Sequence, residues 1–588
     1  MRKILLVFLL IPFMAESQYR ALSRPDIIVK QGAWYDIRAY SAIDDDGLTD
    51  VTAIQAALDS CNSQGGGTIY FPPGQWEIGF NDTLRVYSNT IVKGAGIGAT
   101  KINYTKTSGD SITGKPAFWT WLDSNIVFCD FEIDGNAVDT TTMGEFDAGI
   151  LIGSATAGQI TKRVIVERVY IHDTAGDGIE VRRAENVLIQ NCTIKVPCLN
   201  QTYPSIGRNG ISAEIIDDLK ILNNSITYAF PAGIDIEPNA SETAANVIIK
   251  NNVIKQGFYG IVLNGNASGA NCDSIIVQAN LISNCDSTGI IVWSSSNFLL
   301  SDNLVGNSDG HGIEIRPAQS IYKLFNNEVY NCAKHGILIA QTSSDIEISG
   351  NRCYENGWEG IRIAGSTGID RNLFFKITNN TCWNNDSGGT NTYDGMSVNY
   401  TDSSLVAGNL CYDDQVTATQ QYGFRFATCT DLVITNDNTG FGNADGLISL
   451  TSMTVNNLGM PYQINEQLLF NRGSAGAAAD ELIFLYDTDF ASVVLQSGSN
   501  SRWWIATDTT GSNNTLQIGA DGNTTPAPAA FAITINDAGG TSFSDSTRVN
   551  SSGAWIRKMF WSITGDSLGI IGYNTVDAKL DTAWAVTK

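Results

Sequence analysis

The sequence predicts an all-β chain wound as a parallel β-helix, opened by a capping helix and followed by a smaller β domain. Three observations lead there. Glycine followed by an apolar residue recurs every 23 to 35 residues, at Gly149, Gly178, Gly210, Gly233, Gly260, Gly289, Gly312, Gly336, Gly360, Gly395, Gly423 and Gly446. Each glycine opens a short alternating run, as in "GIEV", "GIDIE", "GIEIR" and "GILIA". A second apolar run in each unit ends on asparagine, at Asn224, Asn252, Asn280, Asn303, Asn327, Asn351, Asn380 and Asn409.

Period two sends one side chain inward and the next outward, which is a strand pattern. A floor of 23 residues with insertions above it is what stacked coils with variable loops produce. The asparagines form one register in which buried amides bond to the coils on either side. Asparagine also tolerates the left-handed backbone of a tight corner. Two residues beyond each stands an apolar residue, and in three coils it is Cys353, Cys382 or Cys411. These three read as buried thiols acting as small hydrophobes. Among the other cysteines, Cys192 and Cys198 are the first pair to test for a disulfide.

Length and charge bound the rest. The chain has 588 residues, beyond the size of one ordinary core, a limit that stacked repeats escape. Its net charge of −24 disfavours bare nucleic acid and anionic membranes as partners. Arg2 and Lys3 precede an apolar segment from Ile4 to Phe13. That is the pattern of a signal peptide over residues 1–17, too short to span a bilayer. The expectation is a secreted, periplasmic or cell-surface protein without membrane insertion.

Residues 44–78, "DDDGLTDVTAIQAALDSCNSQGGGTIYFPPGQWEI", contain a helix. Asp50 suits its N-cap, and Val51, Ile54, Leu58 and Cys61 share one face. The "GGG" ends it, "TIYFP" is a strand and "PPG" a turn. Asp44, Asp45 and Asp46 read as turn residues more economically than as metal ligands. This segment, with its "D-DG-TD…AIQ.A…GG.IYFPPG" pattern, resembles the rhamnogalacturonase/epimerase type of N-terminal module in the pectate-lyase-like superfamily. The resemblance covers about residues 31–100, and the coils extend it to residue 456. It implies a right-handed parallel β-helix and carbohydrate-active function. Hydrolases, lyases and epimerases share that shape, so fold does not choose among them.

Aligned on the glycines, residues one and three later point inward, and those two and four later point outward. The outward pairs are Glu180 with Arg182, Ser212 with Glu214, Asp235 with Glu237, Val262 with Asn264, Ile291 with Trp293, and Glu314 with Arg316. Leu338 with Ala340 and Arg362 with Ala364 follow, where the face turns bland. Along the strand Asp235 and Glu237 stand about 6.6 Å apart, and Glu214 lies about 4.8 Å to the side of Glu237. Stacked carboxylates repel, so one is driven toward its protonated form. An acid beside an ionised carboxylate is the pair that glycosidic cleavage uses, at about 6.5–9.5 Å for inversion and about 5–5.5 Å for retention.

The candidate catalytic residues are therefore Asp235, Glu237, Glu214 and Asp177. The candidate substrate-binding residues are Glu180, Arg182, Arg208, Asn209, Tyr259, Asn264, Trp293, His311 and Arg316. The arginines suit a carboxylate or sulfate, and the aromatic rings suit a sugar face. His311, in "DGHGIEIRP", resembles a Gly-His-Gly element of polygalacturonase-like enzymes. The paired-Asp motifs of those enzymes are missing, so their active site is not carried over. His172 and His335 read as structural.

Beyond residue 456 the asparagine register and the cysteines stop. Short strands such as "ELIFLYDTD" and "SRWWIATD" suggest an antiparallel β module over residues 457–588. It loosely resembles stem-like modules of phage tail and surface proteins, which implies a homotrimer as one role for it.

The leading expectation is a glycoside hydrolase that degrades polysaccharide without a cofactor. The alternative is a lyase or epimerase on uronic-acid polymers, with Ca²⁺ held by Glu214, Asp235 and Glu237 and a basic group such as Arg208 taking the proton. A third reading is a non-catalytic adhesin or tailspike-like binder.

Overall fold

The computed structural model describes residues 33–458 apart from 106–114, 137–146, 155, 157, 196–207, 266–268, 317–319, 341–342, 366–370, 436 and 452–454. From residue 455 onward it describes only the backbone course of strands. The segment read as a signal peptide, and Cys198, lie outside the described residues.

Most coils contribute three strands; in earlier ones two of them run as one, as in Thr161–His172. One coil holds Ile211–Ala213, Ile216–Leu222 and Ser225–Thr227, and these pair in parallel with Ala232–Ile236, Thr243–Lys250 and Val253–Lys255 of the next. The glycine-led strands stack into a 14-stranded sheet running from Leu84–Arg85 to Gly446–Thr451. The other two strands of each coil run together in a larger parallel sheet. The winding is that of a right-handed β-helix.

The glycine column exists because adjacent coils leave no room there. A Cβ on Gly233 would fall 2.4 Å from Ile254 Cγ2 and 2.7 Å from the Gly260 carbonyl. Both distances are well inside van der Waals contact, so a side chain would push the coils apart.

The amide ladder fills the corner between the other two strands of a coil, as Asn224 does between Ile216–Leu222 and Ser225–Thr227. Asn303 Nδ2 donates to Asn327 Oδ1 at 2.9 Å and to the Val277 carbonyl at 2.9 Å, and its own Oδ1 accepts from Asn280 at 3.0 Å. The pattern repeats from Asn224 and continues past the expected end to Asn438. The left-handed residue of this corner stands one position earlier than expected. It is Asn223, Asn251, Ala279, Asp302, Asn326, Gly350, Asn379 or Gly408, each at a positive φ, while the ladder asparagines keep the ordinary sign. Cys353, Cys382 and Cys411 are in register and fully buried. Cys192 is likewise a buried free thiol.

At the N-terminal end the helix Val51–Ser63 buries Ile54, Ala57, Leu58 and Cys61, while Val51 is only half-buried. Asp50 precedes it but does not cap it through its side chain. Its carboxylate accepts instead from the backbone N–H of Ile43 at 2.9 Å and of Glu77 at 3.0 Å, tying the entry loop to a strand. Asp44 and Asp46 accept turn N–H groups from Gln75 and Leu48. No helix among the described residues is long and apolar enough to cross a membrane.

Between residues 449 and 463 the chain divides into two compact units. The second contains a seven-stranded antiparallel sheet from Leu468–Arg472 to Thr541–Phe543 and a three-stranded one from Lys558–Thr564 to Lys579–Thr587.

Candidate functional site

The glycine-led sheet lays its outward residues in two rows. In the first, Glu180, Ser212, Asp235, Val262, Ile291, Glu314, Leu338 and Arg362 are successive neighbours. In the second, the Glu214 N–H bonds the Val181 carbonyl at 3.0 Å and the Glu237 N–H bonds that of Ala213 at 2.8 Å. Arg182, Glu214 and Glu237 therefore stand side by side. Asn264, Trp293 and Arg316 continue this row.

Outward does not mean exposed. Glu180 is 1% exposed, Asp235 6% and Glu214 7%, whereas the expectation was a solvent-facing set. For Glu180 and Glu214 the cause is side-chain cover. Arg182 lies across Glu180 and Glu214, and the Asn239 amide donates to Glu214 Oε2 at 3.0 Å. Glu237, Arg182 and Arg208 are half-buried.

Asp177 and Asn209 are corner clamps. Asp177 is fully buried and accepts the Asn209 N–H at 2.9 Å, the Ser212 hydroxyl and Arg208 Nε at 3.3 Å. The Asn209 side chain in turn accepts the Ala232 N–H at 3.0 Å. These bonds suit Asp177 to positioning the acid row rather than to proton transfer.

The donor set also fits calcium poorly. Arg182 already supplies a cation between Glu180 and Glu214. Among the described residues, the group of three whose ligand atoms lie within 4.8 Å of one another is Asp134, His172 and Asp173, on a different wall, and not Glu214, Asp235 and Glu237.

An apolar strip follows, with Ala232, Val262 and Ile291 packed under Tyr259 and Trp293. Those two rings meet edge to face at 6.0 Å, and the Arg316 guanidinium lies 5.4 Å over Trp293. The outer faces of Tyr259 and Trp293 are thus partly taken.

Beyond it the face is not bland, as the sequence suggested. The position one residue before each glycine forms a third row that includes Asp177, Asn209, Thr288, His311, His335, Glu359 and Asp394. His335 Nδ1 lies 3.0 Å from Glu359 Oε2, and Glu359 Oε1 lies 3.0 Å from Arg362. Burial works against the Glu359 carboxylate, but His335 and Arg362 hold it below its ordinary range. Asp394, which binds Arg425 at 2.7 Å, is pushed up to about 6 because burial outweighs the arginine. Burial, with the nearby charges of His335, Lys334 and Arg316, lowers His311 to about 3, so its ring is neutral at neutral pH. The shared offset from glycine was the signal that could have found this row.

The family model for the right-handed beta helix region matches residues 129–273, 210–374 and 269–406. Among curated proteins, the chain is 32% identical over 155 residues to the mannuronan C5-epimerase AlgE6 of Azotobacter vinelandii, covering 25% of this chain and 17% of that protein. It is 27% identical over 202 residues to AlgE4 of the same organism, covering 33% and 34%. The chain thus spans about a third or less of these relatives. Among solved structures, the tailspike of E. coli bacteriophage HK620, in complex with a hexasaccharide, aligns with a TM-score of 0.52 at 11% identity over 85% of this chain and 92% of that one. That likeness concerns the fold alone. The chain is a right-handed parallel β-helix protein related to mannuronan C5-epimerases over part of its length and to phage tailspikes in fold.

Proposed function

We propose that the protein is a carbohydrate-active enzyme acting on polymers of uronic acid, and that it inverts C5 by removing and returning a proton. The sequence kinship to mannuronan C5-epimerases supports this reading over the glycoside hydrolase expected first, and it suggests a mannuronan-type chain as substrate. The observation that carries it in this molecule is the register of Arg182, Glu214 and Glu237 on adjacent coils, with Arg208 at their edge. C5 of a uronate is α to the carboxylate, so losing its proton places charge on that carboxylate. A cation there stabilises the developing charge. Arg208, whose side chain is 24% exposed, is the guanidinium best placed to meet it. Glu237 is the most accessible carboxylate of the row and is assigned the proton abstraction; a solvent proton then adds to the opposite face of C5, which inverts the centre, and Glu237 releases its own proton to water. Arginine itself stays protonated and does not act as base. Asp177 positions Arg208 and the strand that carries Ser212. A lyase would share the first step and differ in expelling the 4-linked sugar instead of taking a proton back.

The test is incubation of the protein with polymannuronate in deuterium oxide. Epimerisation gives inverted C5 centres carrying deuterium, read by NMR, with no new reducing ends. Unsaturated, ultraviolet-absorbing ends would move the reading to a lyase. New reducing ends with neither change would restore the hydrolase.

A further inference from the structure

We propose that His311, His335, Trp358 and Arg316 form a second saccharide subsite that takes a uronate unit of the same polymer three coils along the glycine-led sheet from Asp235. This rests on the polyuronate reading above. The row Asp235, Val262, Ile291, Glu314 places the subsite about 14 Å from the acid row, at about 4.8 Å per coil. The apolar strip joins the two places.

His311 is the unusual residue. It is 9% exposed, and its Nδ1 is buried with no hydrogen-bond partner among the described residues. Such a nitrogen is costly unless something satisfies it. Its ring stacks on His335 at 5.1 Å with an 8° tilt. His335 Nδ1 has the Glu359 carboxylate 3.0 Å away as an ion-pair neighbour, while His311 Nδ1 has no such acid beside it among the described residues. Trp358 stands edge-on to both imidazoles, at 6.1 and 4.9 Å, and stacks on Tyr393 at 5.4 Å. The Trp358 and Tyr393 rings are half-buried and give a pyranose an apolar wall.

Charge selects the ligand class. Arg316 is exposed and reaches Glu314 at 2.8 Å, Arg362 reaches Glu359 at 3.0 Å, and Lys334 lies 5.7 Å from the Trp358 ring. With each arginine matched by an acid, Lys334 leaves the spot cationic by one charge in a chain of net charge −24, which suits a carboxylate.

The experiment measures binding, not turnover. Retention in polymannuronate affinity gels, and Kd for a saturated mannuronate disaccharide and octasaccharide, are compared for the full chain, His311→Phe and Arg316→Ala, with polydextran as neutral control. His311→Phe keeps a ring in the stack, and Arg316 is exposed, so unchanged melting temperatures establish that both variants fold. The subsite predicts octasaccharide binding weakened about tenfold in each variant, with disaccharide binding at the acid row unchanged. Wild-type octasaccharide affinity in both variants would overturn the subsite alone. A wild-type protein that binds no polyuronate would overturn the functional reading and the subsite together.

Discussion

Arg182 joins two acids on neighbouring coils: its Nε lies 3.0 Å from Glu180 Oε1, and its Nη2 bonds the Glu214 carboxylate. One guanidinium thus offsets the repulsion of two recessed carboxylates. Replacing it with methionine leaves both acids without their cation. We expect Arg182→Met to lose about 3 kcal/mol in denaturant unfolding, and Glu180→Gln in the same chain to recover part of it. Unfolding at the wild-type midpoint would show that the acids do not depend on Arg182.

Glu237→Gln removes the carboxylate assigned the proton abstraction, and Asp235→Asn neutralises the recessed acid on the same face. Each is expected to reduce turnover by about a hundredfold or more while circular dichroism and melting stay near wild type. Asp177→Asn is expected to act mainly on stability, through the Asn209 and Ser212 bonds. Full activity in both of the first two variants would take them out of the mechanism.

Asn303→Leu removes a mid-ladder amide that donates to Asn327 and the Val277 carbonyl and accepts from Asn280. The partners it strands are buried, so a loss of about 3 kcal/mol or more is expected in denaturant unfolding. A loss below about 1 kcal/mol would mean that the coils repack without the ladder.

His172 contributes a pH dependence. Burial lowers its proton affinity, but bonds to Asp173 at 2.6 Å and Glu132 at 3.1 Å outweigh burial and raise it above the ordinary 6.5. The folded state therefore binds the proton more tightly than the unfolded chain. The resulting stability is complete below pH 6.5 and fades as pH rises through the raised value. In His172→Gln, the difference in melting temperature between pH 6 and pH 9 should shrink (~half a unit either side of these values serves equally). An unchanged difference would assign the pH dependence elsewhere.

Gly233→Ala tests the close approach of coils. Its Cβ would meet Ile254 and the Gly260 carbonyl, so a loss of about 1–3 kcal/mol is expected from thermal unfolding.

The coil architecture was legible because two signals with a physical basis repeat in one register. Gly233 and its counterparts mark where no Cβ fits, and Asn303 and its counterparts mark where buried amides pair. From these, period two placed Glu214, Asp235 and Glu237 as neighbours. The burial of Glu214 was not legible, because it depends on how Arg182 and Asn239 drape over it, and such long side chains have no period. The same holds for Asp50, whose carboxylate turns to Ile43 and Glu77 instead of to the helix behind it. A second amide ladder, Asn356 to Asn385 to Gln420 to Asn443, also escaped notice. Asn356 and Asn385 each stand five residues after a member of the first ladder, an offset that could have revealed them.

Every asparagine inside the long ladder, from Asn252 to Asn409, donates forward and accepts from behind in the same way, so no coil there carries a private lock for its neighbour. A duplicated or deleted repeat would find matching polar joints on both sides. Evolution could therefore lengthen or shorten this wall one turn at a time, by about 4.8 Å, without redesigning the interior.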